Sequence, residues 1–247
     1  MNLILVGTLA SFFAGAATII GAGSVFFLRK VSEKFLDFSM GLAAGVMMAA
    51  TFFGLIAPAI KIGGVWKTAA GIIAGAVFLI ILEKVIPHIH RVTGEKGPPL
   101  KLNKLLLFLL AITIHNFPEG LSVGVGFAGG NIPAGIVLAC GIGIQNVAEG
   151  IACALAIYRS SGLMMKAFLV ASFTCVVEPI GGFLGVSVVS LSAGLIPYGL
   201  AFAGGAMLFV TVEELIPETH SRGNVRESTL GIIAGFVLMM LLESLFS

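Results

Sequence analysis

The chain has 247 residues, 58% of them hydrophobic and 11% charged, with a formal net charge of +2 at pH 7. Soluble domains run at about 45 to 50% apolar and about 25% charged, so this composition excludes a fold solvated by water on all sides. The small positive excess is scattered among short connections, which excludes a nucleic-acid partner and leaves the lipid bilayer as the expected surroundings.

In chain order, the first 28 residues carry no charge, and the first basic residues, Arg29 and Lys30, follow that apolar stretch instead of preceding it as in a signal peptide. The segment therefore reads as a retained first helix. Residues 38 to 60 and 179 to 212 are also uncharged, and about 20 apolar residues suffice to cross a bilayer core. With charges, proline and glycine as punctuation, helices are predicted near residues 3–28, 38–60, 66–87, 104–128, 132–158, 164–190, 195–217 and 229–246. The fold class is an all-α polytopic membrane protein of eight transmembrane helices, a single transmembrane domain over residues 1–247. The cysteines, Cys140, Cys153 and Cys175, fall inside apolar stretches without paired spacing and read as small packing residues.

The side of the membrane follows from the basic residues. Arg29, Lys30, Lys34, Lys84, Arg91, Lys96, Lys101, Lys104, Arg159, Lys166, Arg222 and Arg226 belong to one set of alternate connections, and only Lys61 and Lys67 to the other. The positive-inside rule makes the richer side cytoplasmic. Both termini are then outside or periplasmic, as in a multi-pass protein of a bacterial inner membrane, and the longest loop, about 88–103, is cytoplasmic.

The second and third helices share patterns with the seventh and eighth. Gly-Leu-Ala begins at Gly41 and again at Gly199, Gly-Ile-Ile-Ala-Gly runs from Gly71 to Gly75 and from Gly231 to Gly235, and Leu-Glu follows at Glu83 and Glu243. The matching helices stand five places apart in the chain, so they cross the membrane in opposite directions. This predicts an inverted repeat relating helices 1–3 to helices 6–8, an arrangement of secondary transporters that places the substrate near the midplane.

Chemistry concentrates in helices 4 and 5. His115-Asn116-Phe117-Pro118-Glu119-Gly120 lies deep in the fourth, and Gln145-Asn146-Val147-Ala148-Glu149-Gly150 in the fifth. Residues four apart share a helix face, so His115 with Glu119 and Gln145 with Glu149 each present donors one turn apart, with Asn116 and Asn146 beside them. Pro118 is expected to loosen its helix at the Ile114 carbonyl. Glu178 brings a third carboxylate from the sixth helix. A charge at the bilayer centre costs about 2.5 to 3.5 kcal/mol, and no Lys or Arg lies at comparable depth, so a cation is the expected partner. Imidazole beside carboxylates favours zinc or a neighbouring transition metal over magnesium or calcium. Met47, in the second helix, is a candidate thioether ligand. Glu83, Glu213 and Glu214 read as interfacial, with an exit path as their alternative role.

With these residues in view, the chain resembles the ZIP metal transporter family, and within it the bacterial GufA-type branch. The resemblance covers nearly the whole chain: the eight spans, His115 to Gly120, Gln145 to Gly150, Glu178-Pro179-Ile-Gly-Gly, and Glu213-Glu-Leu-Ile-Pro-Glu. It implies a two-metal site. His115, Glu119, Gln145 and Glu149, with Met47, would hold one ion, and Asn116, Asn146 and Glu178 the other, with Glu119 and Glu149 shared. Ala148 stands where the family commonly has proline, Asn146 where some members have aspartate, and the long loop has only His88 and His90 where many eukaryotic members are histidine-rich.

The expected function is transport of a divalent transition metal from outside to cytoplasm, with no resident cofactor. Zn2+ is the first candidate, and Cd2+, Fe2+ and Mn2+ suit the same donors. The partners are then the ion and the bilayer, with a homodimer as the candidate assembly. The rivals are an intramembrane zinc hydrolase, against which no HExxH pattern is found, and a proton-coupled carrier of an organic solute.

Overall fold

The computed structural model describes residues 2–28, 31–90, 94–98 and 102–247, with the backbone alone at His90. Arg29, Lys30, Arg91 and Lys101 of the basic set, and parts of the 88–103 loop, lie outside the described residues. Among the described residues, eight helices are long and apolar enough to cross a bilayer: α1 (Leu3–Phe26), α2 (Glu33–Gly63), α3 (Val65–Val85), α4 (Lys104–Ala128), α5 (Ile132–Ser161), α6 (Met164–Ser190), α7 (Ala193–His220) and α8 (Val225–Phe246). Helices satisfy every backbone group within their own length, which hydrocarbon demands. Their first turns are closed by Asn2, Ser32, Asn103 and Asn131, whose side chains accept from amides at the starts of α1, α2, α4 and α5.

The spans match their predicted places, and the largest difference is at the start of α2. That helix begins at Glu33 and runs through Asp37, where the sequence suggests a connection. Asp37 is fully buried because its two oxygens are taken by Arg222 Nη1 at 2.7 Å and Asn224 Nδ2 at 2.9 Å. A charge that ends a helix in isolation is tolerated inside one when its partner arrives from the turn between α7 and α8.

The helices form two groups. α1, α4, α5 and α6 pack on one another, as do α2 with α8 and α3 with α7, while α2 and α7 also lie along α5 and α4. The inverted repeat shows in this packing at a constant offset of 160 residues. Gly45 of α2 lets the helix approach the Ile232 carbonyl of α8 so closely that a Cβ would collide with it. Its counterpart Gly205 of α7 does the same at the Ile72 carbonyl of α3. Met47 and Met207 are both buried, and their carbonyls accept from Thr51 and Thr211, each at 2.8 Å. At these threonines both helices widen into π-helical turns, Ala50–Ile56 and Thr211–Leu215.

Between α3 and α4 a short antiparallel hairpin, β1 (His88–His90) and β2 (Gly94–Lys96), sits against α4. Lys96 Nζ reaches Glu83 at 3.0 Å and Glu213 at 3.2 Å. Partial burial works against the lysine's charge, but the two carboxylates outweigh it and hold its pKa above the ordinary value. His88 is buried, which lowers its pKa against the opposing effect of its bond to the Ile86 carbonyl. The hairpin marks one end of the molecule, called here the basic end. Lys34, Lys84, Lys104, Arg159, Lys166 and Arg222 belong to the same end, whereas Lys61 and Lys67 belong to the other.

Candidate metal centre

Depth follows from helical rise. His115 lies 11 residues into α4 from the basic end, and Glu149 lies 12 residues from the end of α5, which at 1.5 Å per residue puts both about 17 Å inside. Glu119 and Gln145, four residues farther, are about 6 Å deeper still. The proposed ligands therefore form two tiers near the middle of a roughly 30 Å hydrocarbon core.

The deeper tier is sealed. Glu119, Gln145, Asn146 and Glu178 are all 0% exposed. Glu119 faces the Gln145 amide and senses the charges of Glu149 and Glu178, yet neither of its carboxylate oxygens meets a hydrogen-bond donor in good geometry. Asn146 Nδ2 donates to both oxygens of Glu178, at 3.1 and 3.0 Å, and to the Ala14 carbonyl of α1 at 3.0 Å. Ser11 of α1 donates to the Glu178 carbonyl at 2.7 Å. Asn146 thus spends its donors on Glu178, and its Oδ1 is left without a partner.

Local backbone explains why Asn116 belongs here. α6 tightens into a 3-10 turn at Thr174–Val176 just before Glu178. The Thr174 carbonyl accepts from Asn116 Nδ2 at 3.1 Å, which leaves Asn116 Oδ1 buried without a donor. Pro118, by contrast, does not interrupt α4, which is helical from Lys104 to Ala128, and α5 is equally continuous through Ala148. Gly120 permits this closeness of α4 and α6, since a Cβ there would run into the Glu178 carbonyl.

The shallower tier is open. His115, Asn116 and Glu149 line a cavity of about 470 Å³ whose wall also includes Glu214, Glu218 and Arg222, and which reaches Ile89 and Gly94 of the hairpin. Beyond the deeper tier the helices close in one apolar cluster containing Met47, Leu138, Ile142 and Met207. Water therefore has a route to His115 and Glu149 from the basic end, while the opposite side is packed.

Glu214 departs from the sequence reading. Expected at an interface, it is buried, and its carboxylate pairs with His115 Nε2. The π-helical turn at Thr211–Leu215 is what carries it inward, and Glu213 beside it stays half-exposed, bound to Lys96. Glu83 is likewise buried, between Lys96 and Glu214. The signal that could have found Glu214 is the repeat, which aligns it with a position inside α2. Met47, though fully buried, sits within the apolar cluster. Among the described residues, no three His, Cys, Asp or Glu side chains converge closely enough to hold an ion. His115 is turned to Glu214 and Glu178 to Asn146, so these side chains would have to exchange partners before they could hold an ion.

Chemically, the arrangement is a buried set of carboxylate, amide and imidazole donors with several unsatisfied oxygens and a cavity that opens from one side. Residues 102–243, which include every polar residue of the two tiers, match the family described as ZIP zinc transporter. The chain is 42% identical to the zinc transporter GufA of Myxococcus xanthus, over 96% of this chain and 97% of that protein. It is 40% identical to the zinc transporter ZIPB of Bordetella bronchiseptica (93% and 77%) and 32% identical to the zinc transporter ZupT of Streptococcus mutans (94% and 94%). These matches extend along the whole bundle, so the chain belongs to the ZIP zinc transporter family, a family of multi-pass membrane transporters and not of enzymes.

Proposed function

We propose that this protein carries a divalent transition metal, Zn2+ foremost, from the outside or periplasm to the cytoplasm, through the two tiers of donors on α4, α5 and α6. The observation that carries the reading is Glu119. Its carboxylate is fully buried, has the Gln145 amide nearby but no hydrogen-bond donor in good geometry, and senses the charges of two further carboxylates. Among the described residues neither Glu119, Glu149 nor Glu178 forms an ion pair with Lys or Arg. Three such groups in hydrocarbon need a cation to offset their cost.

His115, Glu119, Gln145 and Glu149 are proposed to hold one ion, with Met47 approaching from α2, and Asn116, Asn146 and Glu178 a second that shares Glu119 and Glu149. The absence of a thiolate cage among these donors suits a site that must release what it binds. The basic end, by the positive-inside rule, is cytoplasmic, so the cavity is the release route and this conformation faces inward. The names of the similar proteins support zinc as the cargo. Cd2+, Fe2+ and Mn2+ remain chemically suited to the same donors.

Uptake of Zn2+ into proteoliposomes containing the purified protein tests this. Wild type is expected to load the vesicles, and Glu119→Ala to lower uptake about 100-fold, since even a group that only supports a ligand is worth about 10- to 100-fold in metal affinity. Equal uptake by both would overturn the assignment of the site. Proton flux without metal flux would favour carriage of an organic solute.

A further inference from the structure

The pathway face of α5 can be followed beyond Glu149. Gln145, Glu149, Cys153 and Ala156 follow one another at helical spacing, and the last three line the cavity. The sequence suggests a packing role for Cys153, but its thiol stands one turn, about 6 Å, nearer the basic end than the Glu149 carboxylate. Cys153 is 5% exposed, and the charged groups that act on it are Glu149 and Glu218. Met40 of α2 brings a thioether to the same cavity. Two further polar atoms of this wall, Thr18 Oγ1 and Asn116 Oδ1, belong to residues more than nine-tenths buried and have no hydrogen-bond partner. A ligand in the cavity, or the water it carries, would satisfy them.

We infer that Cys153 is a specificity-determining ligand of the release route, a sulfur donor that receives a soft or borderline divalent ion from Glu149 on its way out. The inference rests on the transport reading above. The carboxylate, amide and imidazole donors of the mid-membrane site suit Mn2+ and Fe2+ as well as Zn2+, whereas thiolate sulfur favours Zn2+ and Cd2+. A thiol at this rung therefore sorts ions after the mid-membrane site has bound them. The arriving ion displaces the thiol's proton to the cavity water as the metal–sulfur bond forms.

Two measurements test this. In proteoliposomes, Cys153→Ala is expected to lower the ratio of Cd2+ to Mn2+ uptake about tenfold, the lower end of what a lost supporting group costs in metal affinity. An unchanged ratio would overturn the inference. In a Cys140→Ser, Cys175→Ser background, alkylation of the remaining Cys153 by a small polar thiol reagent is expected to slow with Cd2+ or Zn2+ and not with Mg2+. This holds even where Cys153→Ala fails to fold. Protection that persists with Glu119→Ala supports direct binding at the thiol, and protection that disappears with it counts against. Absence of wild-type metal uptake would defeat the transport reading, while the alkylation rates would still judge Cys153 separately.

Discussion

The π-helical turns of α2 and α7 are one backbone design in two environments. Each follows a methionine whose carbonyl is bound by a threonine one turn on, and each faces a carboxylate from the third helix of the other repeat, Glu243 for α2 and Glu83 for α7. At the equivalent point of the turn α7 has Glu214 and α2 has Gly54. Glu214 reaches the open cavity, whereas Gly54 is covered, its missing Cβ position lying 2.7 Å from Glu243 Oε1 and 3.2 Å from Leu138 Cδ1. The fold is symmetric and the conformation is not. If the proposed transport proceeds by alternating access, one end packed while its twin is open is the asymmetry that one of its states would display.

The symmetric half of this comparison is tested most severely at the helix crossings. Gly45→Val and Gly205→Val each force a side chain into a backbone carbonyl, and each is expected to cost about 3 kcal/mol or more, read as loss of cooperative thermal unfolding in detergent. Tolerance of one and not the other would break the equivalence. The asymmetric half is tested along α5, in a background without the native cysteines. A polar maleimide is expected to label Ala156→Cys, on the cavity wall, at least about tenfold faster than Leu138→Cys in the apolar seal, which it reaches only through local opening. Equal rates would mean that both ends are open.

Smaller effects sharpen the picture. Thr51→Val and Thr211→Val each remove the donor to a methionine carbonyl, and each is expected to cost about 1 kcal/mol of stability. The hairpin's two ion pairs differ, since Glu213 is half-exposed whereas Glu83 is buried beside Glu214. Lys96→Met leaves the buried Glu83 carboxylate without its cation and should cost about 1 kcal/mol. The sign of its pH dependence is fixed by a lysine pKa raised in the folded protein. The contribution is fully present below the unfolded value, about 10.4, and fades as pH rises through the higher folded one. Hydrogen exchange in the hairpin across the alkaline range would register it, and exchange that does not respond would remove Lys96 as its anchor.

How much of this was legible in the sequence depended on range. The eight spans follow from local composition, and the pairing of α4 with α5 from the repeated Asn-x-x-Glu-Gly, because both signals lie within one or two helices. Asp37 was misread as lying before its helix for the opposite reason, since its partners Arg222 and Asn224 are remote in the chain. Glu214 was placed at an interface because charge near a helix end usually means solvent. A π-helical turn shifts the facing of every later side chain, and nothing in the residue pattern announces it. The hairpin went unpredicted because three-residue strands carry no usable alternation.

The bond between Asp37 and Arg222 also bears on biosynthesis. During synthesis α2 emerges long before the turn after α7, so for most of that time the aspartate at its start has no arginine to meet. α2 must then wait near the headgroups, or sit shallow in the membrane, until the last two helices arrive to seat it. A nascent chain stopped short of Arg222 would carry a carboxylate without the partner that makes its burial tolerable.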